Sequence, residues 1–453
     1  MESDQTFFDA CSRTVISISK QFSELKGTVD QQLPSAMDVP RNYIIPTEDE
    51  YIRGLLVTYW SLRNALLELV YDLKKQGAAS PESFQSLFLP GYAGALVLLD
   101  AARFLRERFH HWPTLRRKLN EPEPSFGIPA GVYDQTQESW TNPSHIWQMF
   151  DAARYFRDQK DKWISSGSNT SVTDLLAIIH ELSARLKMTW LDYTNFRLQF
   201  RLRQLGCFLK RNCFQSAMFQ IQKAAGVLAA DKYLKWDHHP SLPPTIQHEL
   251  NPILSPGDVL LVRKEYALTN YFLPGYWPHA ALYLGRPDQL KLLGVDDMPH
   301  LRTRWDKFQE CDAPPIGRVL EAMKDGVCIR SVSSPYRSDS ILVLRPKISM
   351  ESLKQAIDRA FFHEGKDYDF SFDFTRSDRM VCTEVIYRAL DGLEGTTFPL
   401  TLRAGRLTLA AADLVGMARR GETFQAVAAY VPMQSPQLIP ETQLNEVLDR
   451  WAM

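Results

Sequence analysis

Hydrophobic positions recur at two different periods in the two halves of the chain. From Thr47, which stands three residues before Glu50 in capping-box spacing, Ile52, Leu55, Leu56, Tyr59, Leu62, Leu66, Leu69, Val70 and Leu73 return every three or four residues as far as Gly77. That spacing predicts an amphipathic helix. Ser80-Pro81 has the cap-then-proline order that opens another helix. A third is predicted over about 144–163. A fourth pattern starts at Ser171, with Val172, Leu175, Leu176, Ile179, Leu182 and Leu186 on one face. It runs to about 229, which is too long for one helix without a break near Gly206. Residues 236–256 then bring Pro240, Pro243, Pro244, Pro252 and Pro256, which block continuous helix, so a linker is predicted there.

Beyond the prolines the pattern shortens. The apolar runs 259–262, 280–284 and 341–344 read as strands, and 319–323 and 327–332 flank an Asp325-Gly326 turn, a hairpin signal. Helical periodicity returns at about 352–363 and 379–393. This half is expected to be α+β, an antiparallel sheet with helices on one side.

Composition narrows the class. The chain has 453 residues, 45% hydrophobic and 23% charged, enough for two or three domains with ordinary cores. With 22 Gly and 27 Pro it is neither collagen-like nor low-complexity. Lys and Arg number 52 against 53 Asp and Glu, so no overall basic footprint points to nucleic acid. The longest uncharged run, 83–99, contains Pro90-Gly91 and falls short of the about 20 residues of a spanning helix, so it reads as buried core. Neither a basic n-region nor an apolar core follows Met1, so no signal peptide is expected, and the location expected is cytoplasmic.

Six cysteines, Cys11, Cys207, Cys213, Cys311, Cys328 and Cys382, form no CxxC pair. Cys382 is the informative one. It lies in the first turn of a predicted helix, sharing a face with Val385, Ile386, Ala389, Leu390 and Leu393. There it is either a small core residue or a thiol whose pKa is lowered by the helix start. A nucleophilic thiol needs a base. His279, at the entrance of the 280–284 strand, is the best placed of ten histidines, although a plain turn histidine fits the same position. The base in turn needs an orienting group. Glu321, inside an apolar strand, either faces water at an edge or is buried beside a partner.

Taken in order, Pro256-Gly257-Asp258 with 259–262, Pro278-His279 with 280–284 and Gly285, Val319-Leu320-Glu321-Ala322, Gly365-Lys366-Asp367-Tyr368-Asp369-Phe370 and Val381-Cys382-Thr383-Glu384 resemble the YiiX/YebB-like family. That family is the circularly permuted branch of the NlpC-type, papain-like cysteine hydrolases, in which the His strand precedes the Cys helix. The resemblance spans about 255–393. It implies Cys382 as nucleophile, His279 as general base and acid, Glu321 as orienting group, and acyl transfer on an amide or ester. Thr383 stands where family members usually carry Ser. The Cys382 N–H is the natural first oxyanion donor. Tyr266 and Tyr283 are candidates for the second, though packing roles suit both better. The long segment 286–317 reads as a lid or a surface insertion.

The expected organisation is therefore an all-helical domain at 1–235, the linker at 236–256, a permuted papain-like domain at 257–435 and a C-terminal tail or helix at 436–453. The expected substrate is a small-molecule, peptide-like or lipid-like acyl compound. A lipid acyl hydrolase or acyltransferase, an inactive binding module, and a structural interaction protein dominated by its helices are the alternatives. No cofactor and no metal are expected: the pairs His110-His111 and His238-His239 diverge, and no HExxH is present. The basic stretch Arg197, Arg201, Arg203, Lys210 and Arg211 reads as a solvated helix face, with contact to an anionic membrane surface or nucleic acid as the other reading.

Overall fold

The computed structural model describes residues 2–32, 44–77, 80–140, 143–165, 170–185, 240–265, 275–310, 317–421 and 423–451. The predicted helix break at Gly206, the basic stretch 197–211, His238-His239, Tyr266, Cys207, Cys213 and Cys311 lie outside them. The chain forms two compact units. One comprises Met1–Pro122 and Pro129–Asp237, the other Glu123–Ile128 and His238–Met453.

The first unit is helical. Its described helices are Glu2–Gln32, Pro46–Gly77, Pro81–Phe109, Pro113–Lys118, Val132–Trp140, Pro143–Ser165 and Thr170–Arg185. The first was not anticipated, although Cys11, Val15, Ile18 and Phe22 carry helical spacing and are all buried. Pro81–Phe109 packs against Glu2–Gln32, Pro46–Gly77 and Thr170–Arg185. By length and composition, 84–109 could cross a membrane, but 67% of its apolar window is buried in the unit. At Gly94 the close approach of Val70 and Leu66 leaves no room for a side chain. A Cβ there would stand 2.9 Å from Val70 Cγ2.

The second unit is built on a seven-stranded sheet. Its strands are β1 (Val259–Arg263), β2 (His279–Gly285), β3 (Arg318–Met323), β4 (Gly326–Ser331), β5 (Ser340–Pro346), β10 (Phe424–Tyr430) and β11 (Ile439–Pro440). Two small pairs, β6 (Asp367–Tyr368) with β7 (Arg379–Met380) and β8 (Thr401–Arg403) with β9 (Arg406–Thr408), lie outside it. The order is β11-β10-β5-β1-β2-β3-β4, and every neighbouring pair is antiparallel. In the β3–β4 hairpin Gly326 takes φ +103, and a Cβ there would meet Lys366 O at 2.5 Å.

Both faces of the sheet are covered, which corrects the one-sided expectation. Val259 and Leu261 point into the larger core with the helices Met350–Phe362, Cys382–Leu390, Ala411–Arg420 and Leu444–Trp451. Leu260 and Val262 point the other way, onto Leu242, Ile246, Leu250 and Leu254. Those four residues come from the segment read as a linker. Its prolines do not keep it extended, because Pro244 takes the first turn of the helix Pro244–Leu250, where no N–H is needed. Burial on both faces is why β1 reads as an unbroken apolar run.

The described part of 286–317 is likewise no free lid. Its short helices Pro287–Leu293, Pro299–Arg302 and Trp305–Glu310 bury Leu290, Leu301 and Phe308 in the larger core, and Val295, between the first two, is buried there as well. The buried Asp358 carboxylate accepts the N–H groups of His300 and Leu301 at 2.9 and 3.1 Å. The C-terminal segment ends as the helix Leu444–Trp451, with Leu444, Val447 and Leu448 in the same core.

Candidate active site

The helix that carries Cys382 starts later than its apolar spacing suggests. Arg379 and Met380 pair in parallel with Asp367 and Tyr368, which draws the first residues of the predicted helix into β7. Val381 remains extended and the helix is Cys382–Leu390. Cys382 is therefore its first residue, where N–H groups have no acceptor within the helix. The helix packs on β2 and β3. His279 is the first residue of β2, paired with Val262 of β1. Glu321 sits on β3, where Leu320 pairs with Leu282, so it stands diagonally across from His279.

These placements bring the three sequence-predicted residues together. Glu321 Oε2 lies 2.7 Å from His279 Nε2. On its other side the His279 ring is hydrogen-bonded to the Cys382 thiol, which also accepts the backbone N–H groups of Ala280 and Thr383. With Nε2 engaged by Glu321, Nδ1 is the ring nitrogen left for the sulfur. Burial alone would lower the His279 pKa, but the hydrogen bonds and negative charges of Cys382 and Glu321 outweigh it and raise it to about 9. Burial would push the Cys382 thiol up, yet the His279 hydrogen bond and charge, with the two N–H donors, bring it below its ordinary value. Glu321 is 1% exposed, and burial would raise its carboxyl. The His279 hydrogen bond and charge, Arg330 and Ser334 instead lower it to about 2. The arrangement favours a thiolate beside an imidazolium, the state in which a cysteine attacks an electrophilic carbon.

Sequence reasoning assigned no part to several residues around these three. Tyr368 lies beside Cys382. Burial, then the charges of Cys382 and Asp369, hold its phenol neutral far above the usual range. Tyr283, offered as an oxyanion donor, is elsewhere: it belongs to the core on the opposite face, with its hydroxyl against Gly317. Thr383 donates its hydroxyl to Leu409 O at 2.6 Å, a bond that Ser also could make. Glu384 is fully buried, and burial raises its pKa to about 7 against the effect of Arg388, whose Nη2 is 2.8 Å away. Arg388 also reaches the carbonyls of Phe374 and Arg376, so the Thr-Glu part of the motif ties the Cys382 helix to the loop before it. Asp258 of the Gly-Asp motif is gripped by Arg345 Nε and Nη2, both at 2.8 Å, in a two-pronged ion pair. Among the described residues no group of three His, Cys, Asp or Glu side chains could hold a metal ion.

Residues 253–421 match the family model described as permuted papain-like amidase enzyme, YaeF/YiiX, C92 family. No curated protein and no solved structure matches the chain. This part of the chain is thus similar to permuted papain-like amidases, a family of hydrolases of papain-like fold.

Proposed function

We propose that the chain hydrolyses an amide bond of a small-molecule or peptide-like substrate, with Cys382 as nucleophile, His279 as general base and acid, and Glu321 as the orienting carboxylate. The observation that carries this reading is the hydrogen-bonded line from the Cys382 thiol through the His279 ring to Glu321. The amidase character of the matching family supports the choice of bond.

The thiolate adds to the carbonyl carbon, and the C=O electron pair moves onto oxygen. The Cys382 N–H and the neutral Tyr368 hydroxyl donate to that oxyanion. As the C–N bond breaks, His279 gives its Nδ1 proton to the leaving nitrogen, and the amine departs from a thioester. His279 then takes a proton from water, whose oxygen adds to the thioester carbon. Collapse expels the thiolate and releases the acid. Glu321 accepts from Nε2 throughout, which keeps Nδ1 turned to the sulfur.

The test uses the full-length chain, a thiol-directed acyl probe and a panel of chromogenic acyl anilides and acyl esters. Wild type should label at Cys382 and release aniline, and Cys382→Ala should do neither. Equal labelling and turnover by the two proteins overturns the reading. Turnover of esters alone overturns the amide assignment but keeps the nucleophile.

A further inference from the structure

Only one oxygen of Glu321 faces His279. The other is held from two sides. The Ser334 hydroxyl donates to Oε1, and Arg330 Nε lies 3.2 Å from the same atom. Arg330 is on β4, the strand paired with β3, and Ser334 is on the short helix Ser333–Tyr336 that follows it. Arg330 is anchored in turn, since its Nη2 donates to Asp325 Oδ1 at 2.6 Å in the hairpin turn. Charges therefore alternate along Asp325, Arg330, Glu321, His279 and Cys382.

The titratable groups that face Glu321 are His279 from β2 and Arg330 from β4, with Cys328 directly across on β4. A buried carboxylate with one oxygen unengaged has two handicaps. It can turn about its last bond, and its free lone pairs sit in a low dielectric where they are costly. The Ser334 hydroxyl fixes Oε1 by its hydrogen bond, and so fixes Oε2, while the Arg330 charge offsets the burial of the carboxylate.

We propose that Arg330 and Ser334 are positioning residues of this site: the Ser334 hydrogen bond at Oε1 holds Oε2 on His279, and the Arg330 charge beside Oε1 keeps Glu321 ionised while the imidazolium gives and takes its proton. The proposal rests on the reading of Cys382, His279 and Glu321 as the reactive group, and it adds two residues that act through Glu321 without touching substrate.

The test is the rate of iodoacetamide alkylation at Cys382, located by peptide mass spectrometry, as a function of pH in the full-length chain. In the Arg330→Gln/Ser334→Ala double variant, burial is no longer opposed by the Arg330 charge or the Ser334 hydrogen bond. Glu321 should then protonate at higher pH, so the acid limb of the profile should move up by about one unit, a tenfold loss of rate on that limb. Arg330→Lys and Ser334→Thr, which retain the cation and the hydroxyl, should keep the wild-type limb. Thermal unfolding of each variant checks that it is folded. If the double variant does not fold, the single variants Ser334→Ala and Arg330→Gln carry the test, each expected to move the limb part of the way. A wild-type profile in the folded double variant, with Glu321→Gln shifted, overturns the proposal and leaves the reactive group intact. A wild-type profile in Glu321→Gln as well overturns the role given to Glu321 itself.

Discussion

Replacing His279 with alanine measures how far the Cys382 thiolate depends on its partner. Cys382 is 5% exposed, and burial by itself pushes a thiol above the ordinary value of 9.0. Opposing burial are the hydrogen bond and charge of His279 and the N–H groups of Ala280 and Thr383. In His279→Ala only the two N–H groups remain, and burial, the largest influence, works against them. The thiol should rise above its wild-type value, so that a smaller share of it is ionised at pH 7. In the wild type the His279 hydrogen bond and charge favour the charged pair. It is lost at the alkaline end, as pH rises through the His279 value of about 9, and at the acid end, when the thiolate protonates. The rise of His279 from 6.5 to about 9 corresponds to about 3 kcal/mol favouring its protonated form. The assay is ultraviolet absorbance of the thiolate against pH, with Cys382→Ser subtracted to remove the other five cysteines. Absorbance is a better measure here than alkylation rate, because a thiolate of higher pKa is also a stronger nucleophile, with a Brønsted slope of about 0.4–0.5, which masks part of the change. The thiolate absorbance should appear at higher pH in His279→Ala than in wild type. The same midpoint in both proteins would refute the coupling.

Three further outcomes are expected. Tyr368→Phe should lower kcat by about 10- to 100-fold with little change in KM, because an oxyanion donor acts in the transition state. An unchanged kcat in steady-state kinetics removes Tyr368 from the mechanism. Arg345→Met strands the fully buried Asp258 and should cost about 3 kcal/mol in urea unfolding of the second unit. A loss below about 1 kcal/mol would mean that the ion pair contributes little beyond the solvated groups. Gly94→Val forces a side chain into the 2.9 Å approach of Val70 and should destabilise the helical unit by about 1–3 kcal/mol, read by thermal unfolding followed by circular dichroism.

The elements with a clear period were legible residue by residue. The helix at Pro46–Gly77, the strands at 259–263, 279–285 and 340–346 and the hairpin about Asp325-Gly326 fall where local spacing and turn chemistry place them. The order His279, Glu321, Cys382 was legible too, through its resemblance to a permuted family, and the matching family model covers all three positions. Less legible were positions whose meaning depends on a distant partner. The prolines of 240–256 suggest a linker until Leu242, Ile246, Leu250 and Leu254 are seen to close one face of the sheet. Tyr368 is one tyrosine among 17 until β6 pairs with β7 and sets it beside Cys382. Arg330, Ser334 and Arg345 are ordinary polar residues in the sequence, and they matter only for the carboxylates they meet.

By itself, then, the sequence determined the strongly periodic helices and strands and which reactive side-chain types the chain carries. Both depend on short-range periodicity and on residue type, which a linear string preserves. The tertiary structure alone decided that Cys382 is the first residue of its helix, that Nδ1 of His279 is the nitrogen left for the sulfur, and that Glu321 stays ionised in a buried strand. Those properties arise from register and from low-dielectric contacts between residues far apart in sequence, as with Glu321 and His279, 42 positions apart. Local pattern carries no record of such pairings, because each partner alone is compatible with exposure to water.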